Sequence, residues 1–310
     1  MKTVWILTKR NIKLFFKDKG MFFTSLITPL ILLVLYVTFL GNVYRDAFTI
    51  EGYPLSEKLI NGLVGGQLFS SLLAVSCVTV AFCSNFLMVQ DKVSGSRDDL
   101  TITPVKHSTM ALGYYFASAA CTLIICLITV AAGCLYLSQI GWYLSFVDLL
   151  LIIADVFLLV MFGTALSSVI NYFLHSQGQI SAVGTIVSSC YGFICGAYMP
   201  ISTFSKGLQN VLGFLPGTYG TALLRQHAMR SAFDQMEVDG IPLEIVDALK
   251  DAVDFNVRFF DTKVSEGIMF LILGATVLFL IGLYILINYI FRKKNRNTIA
   301  KHITKCYNKW

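Results

Sequence analysis

Apolar residues along this 310-residue chain fall into runs of roughly eighteen or more, the length that carries a helix across a bilayer. Six such runs are predicted, at 22–41, 62–88, 113–137, 147–170, 180–199 and 267–291. The third and sixth hold no acidic or basic residue. The fifth, "ISAVGTIVSSCYGFICGAYM", is rich in Gly and Ser, a composition suited to close helix contact inside a membrane. The second exceeds the usual ~20 residues and is expected to be tilted or partly outside the bilayer. The pattern predicts an all-α polytopic membrane protein, one transmembrane domain over 1–310. Its parts are a cytoplasmic amphipathic helix (1–21), spans one to five (22–199), an external, re-entrant segment (200–266), span six (267–291) and a basic cytoplasmic tail (292–310).

Composition agrees: 56% of residues are hydrophobic and 14% charged, against about 25% charged in soluble domains. Lys and Arg set the orientation. Residues 1–21 carry six of them, the 89–112 loop three and the tail after Phe291 seven, whereas 42–61 carries two and 138–146 none. Both termini are therefore expected in the cytoplasm, and the plasma membrane of a bacterium is the expected setting. The net charge of +6 is a topology signal; a nucleic-acid partner would call for a soluble basic domain, and none is expected. The opening segment does not fit a cleavable signal peptide, because its charged region is long and a full span follows. Seven of the eight cysteines lie within spans and Cys306 in the tail, so no disulfide framework is indicated.

Outside the spans, residues 4–17 read as an amphipathic helix with Trp5, Thr8, Ile12, Phe15 and Phe16 on one arc and Lys9, Arg10, Lys13 and Lys17 beside it. That is the pattern of a helix lying on an anionic leaflet; a basic flank that happens to be helical is the alternative. The first half of 200–266 is apolar but interrupted at Gly207, Gly213, Pro216, Gly217 and Gly220, which predicts short helices dipping into the membrane under cover of protein or water. The second half places Ile245, Leu249, Ala252, Val253 and Phe260 at helical spacing opposite Glu244, Asp247, Asp251 and Asp254, with Pro242 at the first turn. This reads as an external helix whose acids form a wet face.

Signatures of chemistry are missing. No Gly-Lys dipeptide occurs, so no Walker A loop exists here to cradle phosphates, and the cytoplasmic pieces are too short for a nucleotide-binding domain. Enzyme motifs and metal-spaced clusters are likewise absent, and no cofactor is expected in this chain. Asp155 is the one charge deep in a span, seven residues beyond Asp148 on the same face. A carboxyl at that depth marks either a functional pathway or a hydrogen bond to Ser, Thr or Asn on a neighbouring helix.

The loop between the second and third spans, "DKVSGSRDDLTITPVKHSTMALGYY", is far longer than the 2–8 residues a bundle connection needs. Ser96-Arg97-Asp98-Asp99 matches a capping box, which predicts a short helix beginning at Arg97, with Asp98 and Asp99 favourable at its positive end. Thr103-Pro104 ends it, and Thr103 can cap a further helix leading into the third span. A helix of one to two turns, set off by Gly95 and Pro104 and offering Leu100 to a partner, is a docking element.

At this point the residues resemble a known family. Asp91, Gly95, Leu100 and Thr103-Pro104-Val105 sit where permease subunits of type-2 ABC exporters carry an acid, a Gly, a Leu and a T-P-V tripeptide. "GAYMPISTF" and "FLPGTYGTALLRQHAM" look like that family's external re-entrant region, and "TKRNIKLFFKDKGMFF" like its basic connecting helix. The 200–266 loop is longer than in minimal members. The resemblance implies a homodimer or heterodimer of permease subunits, with ATP and Mg on a separate cytoplasmic ATP-binding subunit. It makes the 91–104 loop, with Ser96, Arg97, Asp98 and Asp99, the coupling element braced by Lys9, Arg10, Lys13 and Lys17. It also implies outward movement of a drug-like, antimicrobial or lipid-like substrate. Two rival readings remain: a secondary transporter coupled through Asp155, which calls for inverted repeats, and a non-transporting membrane anchor or sensor.

Overall fold

The computed structural model describes residues 2–49, 53, 55–103, 105–260 and 262–307, with side chains up to residue 290. Pro104 and the side chains of the basic tail lie outside the described residues. Helix α1 (Lys2–Lys17) is followed at once by α2 (Lys19–Leu35), because Asp18 leaves the helical region and its carboxylate accepts from the Met21 amide at 3.1 Å. A π-helical turn (Tyr36–Leu40) joins α2 to α3 (Gly41–Phe48) without a break. Then come α4 (Glu57–Asn85), α5 (Leu87–Val93), α6 (Ser96–Ile102), α7 (His107–Ile140), α8 (Phe146–Tyr172) and α9 (Gln177–Ile194). The chain continues through α10 (Lys206–Leu212), α11 (Pro216–Val238), α12 (Leu243–Ala252), a two-residue hairpin (β1, Arg258–Phe259; β2, Thr262–Lys263) and α13 (Glu266–Tyr307).

Five stretches are long and apolar enough to cross a membrane: Lys19–Phe48, Glu57–Val93, His107–Ile140, Phe146–Tyr172 and Glu266–Ile290. The fold is an all-α polytopic membrane protein. The predicted fifth span forms α9, an 18-residue helix with two Gln and four Ser or Thr, and it is not among the five stretches apolar enough to cross. At 1.5 Å per residue it is about 27 Å long, close to the hydrocarbon thickness. The second stretch, Glu57–Val93, runs well past that thickness, as its length predicted.

Helix α4 is the axis of the bundle. It is buried on every face along nearly its whole length, its polar Gln67, Ser70, Ser71, Thr79, Ser84 and Asn85 included, groups that lipid cannot satisfy, and α2, α7, α8 and α11 pack around it. Small residues let the backbones approach. A side chain at Gly66 would collide with the Ala228 carbonyl of α11, and such close approach replaces the hydrophobic driving force that lipid does not supply.

Two expectations about 200–266 are corrected. Gly217 and Gly220 do not break the apolar half into short dips; a 3-10 turn at Ile201–Thr203 and α10 are short, but Pro216 opens a continuous 23-residue helix, α11, most of it buried. Proline at the first helical position loses nothing, since its missing amide would have been unpaired there. In the second half, α12 ends at Ala252 and Pro242 stands just before its first turn. Phe260 is not on the helix; it lies at the hairpin turn with φ of 47° and is exposed.

Candidate functional sites at the two ends of the bundle

At the end carrying α1, the loop after α5 turns at Gly95, whose φ of 80° is a left-handed value that suits glycine. That turn directly precedes α6, so the helix begins at Ser96, one residue earlier than expected, and the capping box does not form: Ser96 Oγ meets Ser94 Oγ at 3.0 Å instead. Asp98 and Asp99 occupy the first turn, exposed, and Arg97 is half-buried. Thr103 is extended, as a residue before proline should be, and its hydroxyl donates back to the Leu100 carbonyl at 2.6 Å. It caps no further helix; α7 starts at His107 with Lys106 before it. Leu100 does not face outward either. It packs on the protein's own core, while Ile102, about 200° further round, is 85% exposed.

The acid of the motif points inward. Asp91 is buried, accepts from Arg10 at 2.8 and 3.4 Å, and accepts from the Tyr114 hydroxyl at 2.5 Å. One carboxylate thus joins α1, α5 and α7. Next to it Lys92 donates to the carbonyls of Asn171, Tyr172 and Leu174 at 3.3, 2.6 and 3.2 Å, supplying partners and a positive charge to the last turn of α8. On α1 the buried residues are Leu7, Thr8, Asn11 and Phe15, an arc facing α7. The arc expected from the sequence is therefore rotated: Trp5 and Phe16 are exposed, on the same outer side as Lys9, Lys13 and Lys17. Of the four basic residues, Arg10 alone turns inward.

At the opposite end, acids of α8 pair with bases of α11. Asp148 accepts from the Ser145 amide at 3.1 Å, closing the first turn of α8, from Ser231 Oγ at 2.6 Å, and from Arg230. Two turns deeper, Asp155 Oδ2 lies 2.5 Å from His227 Nδ1, and neither side chain is exposed to solvent. His227 Nε2 lies 3.0 Å from Glu266 Oε1 at the start of α13. Asp155 is therefore bonded, but its partner is a histidine rather than the Ser, Thr or Asn considered from the sequence. Arg225, fully buried, donates to the Gly196 carbonyl at 2.8 Å and sits 3.7 Å from Asp254. Asp254 in turn accepts from the Ser202 amide at 3.0 Å and from the Ile201 amide. It is no part of a wet face.

His227, Glu266, Arg225, Arg230, Tyr114 and Lys92 were not found from the sequence. The seven-residue spacing of Asp148 and Asp155 was visible, and so was the placement of Arg230 and Ser231 three and four residues after His227, one turn along the same helix face. An antiparallel α8–α11 pair would have joined them, had 216–238 been read as one helix.

No curated protein matches this chain. The family model of the ABC-2 type transporter matches residues 2–228, covering everything from α1 and its inward Arg10 through the loop helix to the middle of α11. This chain belongs to the ABC-2 type transporter family, and it is a membrane permease subunit of an ABC transporter.

Proposed function

We propose that this subunit forms half of an ATP-driven exporter, pairing with a second permease subunit and taking its power from a separate ATP-binding subunit that docks on α6. The observation that carries the reading is the construction of α6. It has no buried residue, it exposes Ile102, and the segment before it is tied to three other helices through Asp91 and Lys92. A push on α6 is thereby passed to α1 and α7 through the Arg10–Asp91–Tyr114 contact, and to the end of α8 through Lys92. ATP and Mg belong on the partner, and both termini belong on its side of the membrane. The outer side chains of α1, Trp5 with Lys9, Lys13 and Lys17, suit a leaflet of anionic lipid. Substrates of drug-like, antimicrobial or lipid-like character, moved outward across a bacterial plasma membrane, fit a permease whose cytoplasmic parts hold no chemistry.

A photo-crosslinking residue at Ile102, used in native membranes, is expected to trap an ATP-binding subunit. The same probe at Leu208, in the external segment, is not. Trapping at Leu208 alone would sink the reading.

A further inference from the structure

Three helices meet at His227. Its ring lies between Asp155 of α8 and Glu266 of α13, stacked near Phe270 with centroids 6.1 Å apart. Both ring nitrogens face carboxylate oxygens, and an ionised carboxylate only accepts. A neutral imidazole owns one N–H and can satisfy one of those contacts. The other then sets a nitrogen lone pair against an oxygen lone pair. Both contacts are satisfied only when the trio holds one further proton, either on the ring or on one of the carboxyls.

The burial is graded. The Asp155 and His227 side chains are fully enclosed, while that of Glu266 is 44% exposed. Asp155 Oδ1 is buried and has no partner among the described residues, a costly place for a full negative charge and a cheaper one for a neutral carboxyl.

We propose that Asp155, His227 and Glu266 form a binding site for a single proton, loaded from water at Glu266, and that the bound proton fastens α11 to α8 and α13. The transfer balances. Glu266 takes a proton from solvent and gives it to Nε2, while Nδ1 keeps its own proton and donates it to Asp155 Oδ2. The ring then carries a proton on each nitrogen and is held as a cation between two carboxylates. The proposal rests on the family assignment only in treating these helices as part of the transmembrane domain.

The charges around the trio do not supply an alternative partner. On α11, Arg225 is turned to Asp254 and Arg230 to Asp148. From α4 the group near Asp155 is the Cys77 thiol, whose sulfur lies 3.9 Å from the Val156 carbonyl. Burial lowers the proton affinity of His227, but the hydrogen bonds it donates to Asp155 and then to Glu266, with their charges, outweigh it and hold the ring above its ordinary value. The sign follows: a raised histidine contributes stability that is fully present below its unfolded value and is lost as pH rises through the folded one. The fastening is thus fully closed below the ordinary histidine range and weakens as pH rises through the raised value of the buried ring.

The test uses the full-length protein in lipid nanodiscs with ¹⁵N-labelled histidine rings. Substituting His107→Gln, His175→Gln and His302→Gln leaves His227 as the sole histidine, so its assignment does not depend on a His227 variant folding. Expected is a ring that stays doubly protonated, or shares its second proton with Asp155, beyond pH 7. Glu266→Gln, at a half-exposed position, should lower the titration midpoint by about one pH unit, since one of two adjacent opposite charges is removed. A ring that is singly protonated across pH 6–8, with no response to Glu266→Gln, would overturn the proposal. Neither ATP hydrolysis nor transport enters the measurement, so failure here leaves the docking of an ATPase on α6 untouched.

Discussion

Asp91 and Asp155 are both buried carboxylates in an apolar bundle, Asp91 joining three helices directly and Asp155 doing so through His227, yet their partners differ in kind. Asp91 faces Arg10, a cation that proteins do not deprotonate, and the contact is permanent. Asp155 faces His227, whose charge is conditional. The contact at the α1 end thus pairs an acid with a cation that keeps its proton, whereas the contact at the far end depends on the protonation of His227. Chain separation does not distinguish the two contacts, since Arg10 lies 81 residues from Asp91 and Asp155 lies 72 from His227; what is local at the α1 end is α6 with its Gly95 turn.

The largest effect is expected where a buried charge loses its counter-ion. Asp254→Ala leaves Arg225 enclosed with only the Gly196 carbonyl, a change of about 3–5 kcal/mol for breaking a buried pair. It should show as a steep loss of folded protein in detergent unfolding scans; near-normal stability would mean water reaches Arg225.

Next is Arg10→Ala. Arg10 is about one-third exposed, so solvent softens the loss, and about 1–3 kcal/mol is expected, felt as increased amide exchange over 2–17. Unchanged exchange there would mean that α1 is held by Leu7 and Phe15 alone, and the comparison of permanent and conditional contacts would lose its first member.

Asp155→Asn should cost less, because an amide oxygen still accepts from His227 Nδ1. An ATP-driven permease is expected to retain ATP-dependent flux in this variant. Flux that ignores ATP depletion but collapses with an uncoupler, and vanishes in Asp155→Asn, would instead favour a proton-coupled carrier. Smallest is the double change Asp98→Asn with Asp99→Asn. It removes a helix-dipole contribution of about 0.3–1 kcal/mol per charge and should leave overall stability nearly unchanged, measured by thermal unfolding.

Much of this architecture was legible in the sequence because it is local. Long apolar runs mark the spans, and Gly95 with Thr103-Pro104 brackets α6. What escaped was set by tertiary packing. Gly217 and Gly220 read as interruptions, but inside a bundle they are contact points, and α11 runs through them. Once 216–238 is one helix, His227 lies against Asp155. Ser96 was misread as a cap for a similar reason, since Gly95 already makes the turn by its own left-handed conformation. Leu100 and Ile102 differ only in which side of α6 the rest of the protein covers, and composition is silent about that.

In the proposed mechanism α6 receives force from a separate ATP-binding subunit through its exposed face. The most direct measurement is ATP-driven transport by membranes carrying Ile102→Asp, set beside the amount of subunit inserted. Burying that charge in a docking contact is expected to abolish ATPase co-purification and ATP-driven flux while insertion stays normal, because α6 has no buried residue to disturb. Full flux with a normal complement of ATPase would contradict the claim.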